Sequence, residues 1–315
     1  MSGITLRAMW ELAVIASALN SCRAPSIRDG SVQECIPGQL ELQEAAARPV
    51  PSGFHVRQAA MAPDGSILVW GPQAVLLVVG RSGALDSIQL PSQTSVAAAR
   101  WLPHGALTVL DRWSWSALVI DSSGHIVRRV RYPQLQDGRV TSVDASDEGW
   151  VVGVVDPGIR RFSIHHLTHG GEARLVATIA IPEQHRERPN LLVRRTASAV
   201  VVMTPAPPFH AWAVDDQGGV VPFEPLRTSD LPTTQSAAPG GQWRALAALE
   251  VNCSFVVSLA DLASDDRAFA VFARTGSLLR ISRLVAPVGL IAASDARDVI
   301  AFRRASRPEV VLYRW

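Results

Sequence analysis

Hydrophobic positions in this chain come in short runs, and polar turn phrases separate them. Ile67-Leu68-Val69-Trp70, Val75-Leu76-Leu77-Val78-Val79, Leu107-Thr108-Val109-Leu110 and Ala117-Leu118-Val119-Ile120 are all four or five residues long. Runs of that length, rich in β-branched residues and bounded by Gly, Pro, Asp and Ser, predict strands buried on both faces rather than helices. A second regularity overlies the first. Strand-formers, a polar pair, a glycine and a further strand recur five times, with the glycine at positions 83, 124, 170, 218 and 276. Each phrase predicts a hairpin whose glycine takes a positive φ that other residues resist.

The spacing between these glycines, 41 to 58 residues, matches repeated sheet units. Pro63-Asp64-Gly65 and Pro103-His104-Gly105 stand at the same offset before their glycine turns and supply a second register mark. Units three, four and five start near Val140, Leu191 and Trp243, the last after the polar stretch from Thr228 to Gln242. A sixth starts at Gly289, but the chain stops at Trp315 where its glycine turn is due. That unit lacks a strand. An unpaired edge at the seam of a ring exposes backbone N–H and C=O groups, so an N-terminal strand is expected to fill it. Gln39-Leu40-Glu41-Leu42-Gln43 has the alternation for that role. The expected fold is all-β: a six-bladed β-propeller over residues 39–315, made of four-stranded antiparallel blades, with the last blade closed by the N-terminal strand.

On these turn phrases the chain resembles the bacterial six-bladed propellers of the NHL-like and TolB-like type. The resemblance implies the fold, and implies export or lipid anchoring because many such proteins are exported or lipid-anchored. It specifies function poorly. Blade-ending Trp-Asp dipeptides are missing and the glycine pairs keep no constant place, which disfavours WD40 and kelch relatives.

Composition narrows the reading further. Apolar residues make up 48% against 18% charged, which excludes disorder for the bulk of the chain. The net charge of +2 and the lack of a basic helical stretch argue against nucleic-acid binding. All 30 basic residues are arginine, read first as a compositional bias and second as a preference for planar, bidentate anion contacts. Arg7 precedes the apolar run Leu12 to Leu19, too short to span a bilayer but suited to a signal-peptide core. Leu19-Asn20-Ser21-Cys22 resembles a bacterial lipobox, which implies lipidation of Cys22. Residues 1–22 are therefore expected to be a lipoprotein-like signal peptide and 23–38 a linker, the mature protein being periplasmic or lipid-anchored in the cell envelope. Cys35 and Cys253 could pair in an oxidising compartment or be two small buried residues.

Candidate chemistry concentrates in the loops between second and third strands, the end of a propeller where ligands usually meet it. In Asp111-Arg112-Trp113-Ser114-Trp115, an extended backbone places both indoles on one side as a stacking platform; the alternative is that they pack between blades. Arg112, Arg160, Arg161, Arg186, Arg303 and Arg304 fall on the same set of loops and form either a cationic mouth or a face paired with nearby carboxylates. His165, His166 and His169 make a poor zinc site, because strand alternation separates the first two. The acidic and asparagine set of propeller lactonases is not met, and the chain has no Gly-x-Ser-x-Gly and no phosphate-loop or dinucleotide glycine pattern. The expected function is non-catalytic: an exported, monomeric propeller without cofactor, binding a partner protein or glycan through its loop face. The alternatives are a hydrolase, lyase or lactonase with a metal in the central tunnel, and an intracellular scaffold.

Overall fold

The computed structural model describes residues 43–314, apart from 63, 103–104, 122, 136–138, 147, 157, 159, 233–241, 252–253, 263–266, 285–287, 294–297 and 304–307. The signal-like segment, the linker, Cys22, Cys35, Cys253 and Arg304 lie outside the described residues. The chain enters on β1 (Gln43–Pro49) and then lays down sheets in series. Sheet one holds β2 (Gln58–Met61), β3 (Ile67–Trp70), β4 (Val75–Val79) and β5 (Leu85–Gln89). Sheet two holds β6 (Val96–Trp101), β7 (Leu107–Asp111), β8 (Ser116–Ile120) and β9 (Ile126–Arg131). Sheet three is β10 (Arg139–Ser146), β11 (Gly149–Asp156), β12 (Arg161–Thr168) and β13 (Ala173–Ala180). Sheet four is β14 (Leu192–Arg195), β15 (Val200–Met203), β16 (Ala211–Val214) and β17 (Val220–Pro222). Sheet five is β18 (Trp243–Val251), β19 (Ser254–Asp261), β20 (Arg267–Ala273) and β21 (Leu278–Leu284). The last contains β22 (Val288–Ala293), β23 (Asp298–Arg303) and β24 (Glu309–Arg314), with β1 as its fourth member. All pairings are antiparallel. This is a β-propeller.

The second strands explain the apolar runs. Every residue of β3, β7, β15 and β19 is buried, because each of these strands is covered on both faces by neighbouring sheets. Apolar clusters fill the seams, such as Leu68, Trp70 and Leu76 with Val109, Leu118 and Ile120 between sheets one and two. Innermost strands lie side by side around the ring, and β22 rests between β18 and β2. In β6, β10, β18 and β22 a bulge after Val96, Val140, Ala245 and Leu290 inserts one residue and adds local twist.

The turns joining third and fourth strands share one hydrogen-bond pattern. Gly83, Gly124, Gly218 and Gly276 take φ of 83°, 84° or 89°, and each donates its N–H to the carbonyl three residues before it. In the third unit the turn glycine is Gly171, with φ 100° and its N–H on the Thr168 carbonyl, in place of the expected Gly170. Thr168 explains the shift: its Oγ1 accepts the Glu172 N–H, as the Asp121 and Asp215 carboxylates accept the His125 and Gly219 N–H groups in their own turns.

An N-terminal strand does complete the last sheet; of the expected Gln39–Gln43 segment Gln43 belongs to it, and 39–42 lie outside the described residues. The strand is β1, Gln43–Pro49, pairing with β24 from Gln43 opposite Arg314 to Pro49 opposite Glu309. An outermost strand needs only backbone partners and no apolar face, so Gln-Glu-Ala-Ala-Ala-Arg-Pro suffices. Arg48, buried, crosses to the next sheet and donates from Nη1 to the carbonyls of Gly65 and Val79. Desolvation, and then the nearby charge of Arg81, lower its pKa.

Candidate binding face

Connections from second to third strands, and from each sheet to the next, emerge at one end of the propeller. The most defined of them is the β7–β8 turn. Asp111, the last residue of β7, is buried, and its carboxylate organises the turn. Oδ1 accepts the N–H of Ser95 at 2.9 Å and of Trp113 at 3.3 Å, while Oδ2 accepts the N–H and hydroxyl of Ser114 at 3.1 and 2.6 Å. Four donors on one carboxylate fix the loop.

That turn is not extended, so the two indoles do not share a strand face. Trp113 projects into solvent at 78% exposure. Trp115 takes a left-handed φ of 46°, turns inward against the cluster of Tyr132, Leu135 and Trp150, and accepts the Tyr132 N–H on its carbonyl. The β11–β12 turn repeats the plan. Asp156 opens it and accepts the Gly158 N–H, and Arg160 holds φ 54° before β12 while its carbonyl accepts the Ile181 N–H. Left-handed backbone at a residue other than glycine is strained, and such strain gathers at working surfaces. Trp115 and Arg160 are its two described cases in this chain, both directly preceding a third strand.

Arg112 sits exposed beside Trp113, and Arg160 and Arg161 are exposed at the head of β12. Arg186 is exposed near the short 3₁₀ turn Glu183–His185 and lies 3.4 Å from the Glu183 carboxylate. Arg303 ends β23. These positions lie at the loop end of sheets two and three, in the connection to sheet four and at the loop end of the last sheet, and Arg186 is shared with a carboxylate. Sequence reasoning named Asp111 in this segment but missed its organising role, whose signal is an Asp closing the second strand in three units, at 111, 156 and 261.

A histidine cluster lies on the same face. His185 is buried with Nε2 2.9 Å from the Pro208 carbonyl, and its ring meets His210 edge-on at 5.8 Å. His210 stacks on Trp212 at 6.2 Å, and desolvation, followed by His185, lowers its pKa. Among the described residues, no three His, Cys, Asp or Glu side chains gather as a metal site. At the opposite end, Arg195 makes a two-pronged pair with Asp216, at 2.7 and 3.3 Å, and Ser146 Oγ lies 3.1 Å from His166 Nε2.

Comparison with known proteins gives the fold and stops there. No family model matches the chain, and no curated protein matches it. Among solved structures it is similar to a streptogramin B lyase, with 10% identity over 83% of this chain and 80% of that one, at a TM-score of 0.53. It also aligns with a catalytically inactive virginiamycin B lyase from Staphylococcus aureus with quinupristin, at 10% identity over 86% and 99% of the two chains and a TM-score of 0.49. BamB from Moraxella catarrhalis aligns at 9% identity over 87% and 100%, with a TM-score of 0.44. At such identities the shared propeller does not carry a reaction across. No helix among the described residues is long and apolar enough to cross a membrane.

Proposed function

We propose that this chain is a non-catalytic, exported binding propeller, its sheets closed as one six-bladed ring, that engages a partner protein or glycan through the loop face. The observation that carries this reading is Trp113, a large indole 78% exposed at the tip of a turn whose shape a buried carboxylate fixes. Leaving an indole in water forgoes burial that a partner would restore. Holding it on a rigid turn removes ordering cost from association, and tryptophan is enriched among residues that dominate interfaces. Export rests on residues 1–22, with Cys22 as the lipid attachment point. Mass spectrometry of the membrane fraction tests it: a mature protein that retains Met1 to Ser21 refutes the anchor.

The binding test is a glycan array together with pull-down from the producing cell's envelope, comparing the native protein with Trp113→Ala. Losing a central aromatic anchor costs about 2 kcal/mol, so binding is expected to fall more than tenfold while the thermal midpoint stays put. Unchanged binding by the variant overturns the reading.

A further inference from the structure

Strand register links the Trp113 turn to a second feature, the outer strand of the same sheet. In the β8–β9 pair Ser116 lies opposite Arg131 and Leu118 opposite Arg129. Arg131 is therefore beside the end of the turn that carries Arg112 and Trp113, and Arg129 follows two residues along. Opposed residues share a sheet face, and Leu118 belongs to the cluster between sheets one and two. Arg129 and Arg131 thus continue the outer margin of that seam. All but one residue of β9, the buried Val130, are exposed. No acidic residue occurs in the strand, and among the described residues Arg112, Arg129 and Arg131 form no ion pair. β9 is also the terminal strand of its sheet, with one edge of backbone groups unpaired.

We infer that Trp113, Arg112, Arg131 and Arg129 form one continuous patch that takes an extended acidic segment of a partner protein, laid along β9. This rests on the loop-face reading and names the partner's chemistry. Arginines two apart on a strand recur at about 7 Å, the spacing of alternate carboxylates in an extended peptide. Guanidinium groups match carboxylates in a planar, two-pronged geometry, and an outer strand edge offers main-chain bonds as well. Trp113 closes the end of the track with an aromatic face. The bulge in β9 falls at Val127, beyond this track, which leaves 128–131 regular.

The test uses a fluorescein-labelled peptide of five Glu-Thr repeats, its Gln-Thr counterpart, polygalacturonate and duplex DNA, against the full chain, Arg129→Glu/Arg131→Glu and Trp113→Ala. The changed residues are exposed, and circular dichroism and the melting midpoint confirm that each variant folds. The inference expects the Glu-Thr peptide to bind, the Gln-Thr peptide to bind at least tenfold more weakly, and the double variant to lose at least tenfold. Equal binding by the double variant, or binding of polygalacturonate or DNA in preference to the peptide, overturns it. If Trp113→Ala abolishes capture of an envelope partner while the double variant does not, the loop-face reading stands and the acidic-segment inference fails. If the double variant loses the peptide and Trp113→Ala costs nothing in either assay, it is the loop-face anchor that fails.

Discussion

The seam between sheets four and five and the seam between sheets one and two follow one plan but are held differently. At the former, apolar packing around Phe223, Phe255 and Phe272 is stitched by polar ties. The buried Glu250 carboxylate accepts from the Ser198 N–H and hydroxyl, the Thr196 hydroxyl and the Arg274 guanidinium, at 2.7 to 3.1 Å. Glu224 accepts the Leu278 N–H, and Arg194 donates to the Leu246 carbonyl exposed by the bulge in β18. Counting from the bulges, the place of Glu250 falls in sheet two on Trp101, which packs against the apolar cluster with its indole N–H unpartnered. The turn glycines differ too: a Cβ on Gly276 would stand 2.1 Å from the Pro222 carbonyl oxygen, whereas one on Gly124 would meet nothing within 4 Å. The more loosely packed margin is the one that bears Arg129 and Arg131. A propeller needs every seam closed, yet this one stitches some seams and leaves another with room at its outer edge.

The hardest way to break that contrast is Glu250→Ala. It leaves Arg274 without its carboxylate at 2.7 Å and strips the Ser198 N–H and hydroxyl of their acceptor, while the Thr196 hydroxyl keeps the Ala199 carbonyl. Arg274 is partly exposed and water can replace its partner, but a part-buried donor left without an acceptor costs about 1–3 kcal/mol and two are left here, so a large drop in the urea midpoint is expected, with Glu250→Gln falling between it and the native protein. A loss below about 1 kcal/mol would show the polar ties to be incidental, because that is the size of an exposed pair.

A smaller effect separates the two glycines. Both turns impose left-handed backbone, which costs a residue with a Cβ roughly 1–2 kcal/mol. Gly124→Ala should lose about that and no more. Gly276→Ala adds a clash with backbone that cannot rotate away, and crowding of this kind costs about a further 1–3 kcal/mol. Equal losses in parallel urea melts would mean that sheet five moves aside freely, and the described seam would then be looser than its contacts imply.

Much of this was legible in the sequence because it depends on local chemistry. Second strands had to be apolar on both faces, so Ile67 to Trp70 and Leu107 to Leu110 announced themselves, and positive φ required glycine at 83, 124, 218 and 276. Where two glycines stood together the choice depended on the side chain that opens the turn, and Thr168 rather than an Asp obscured it. The reach of β1 as far as Pro49 was not legible because its partners are backbone groups of β24, which leave no hydrophobic period to read. The Trp113 and Trp115 segment was harder still. Alternation presumes a strand, while Asp111 folds these residues into a turn and sends one indole outward and the other into the core. Ser95, whose N–H also reaches Asp111, lies 16 residues earlier in the chain, and no local pattern announces that contact.

Acid should sharpen the comparison most gently. His165 and His166 lie in β12, and burial lowers the pKa of both. Around His166 stand Ser146 from β10, Glu148 from the following turn, Arg174 from β13, Arg195 from β14 and Asp216 from the sheet-four turn; the arginines oppose its protonation and the carboxylates favour it. A histidine whose folded pKa lies below its unfolded value stabilises the fold above about pH 6.5, and that contribution is lost as pH falls through the folded value. Asp216 is also depressed, chiefly by its hydrogen bonds from Arg195, so its contribution is present above about pH 4 and goes only below that. Two steps are therefore expected where sheets three and four meet, the milder one after pH falls below about 6.5 and before the Asp216 step below about pH 4. Hydrogen exchange, corrected for intrinsic rates, should show β12 amides losing protection in that interval ahead of those in β8, and His166→Asn should remove part of the difference. If β12 and β8 lose protection together, the titration is global, and the idea that individual seams respond separately fails.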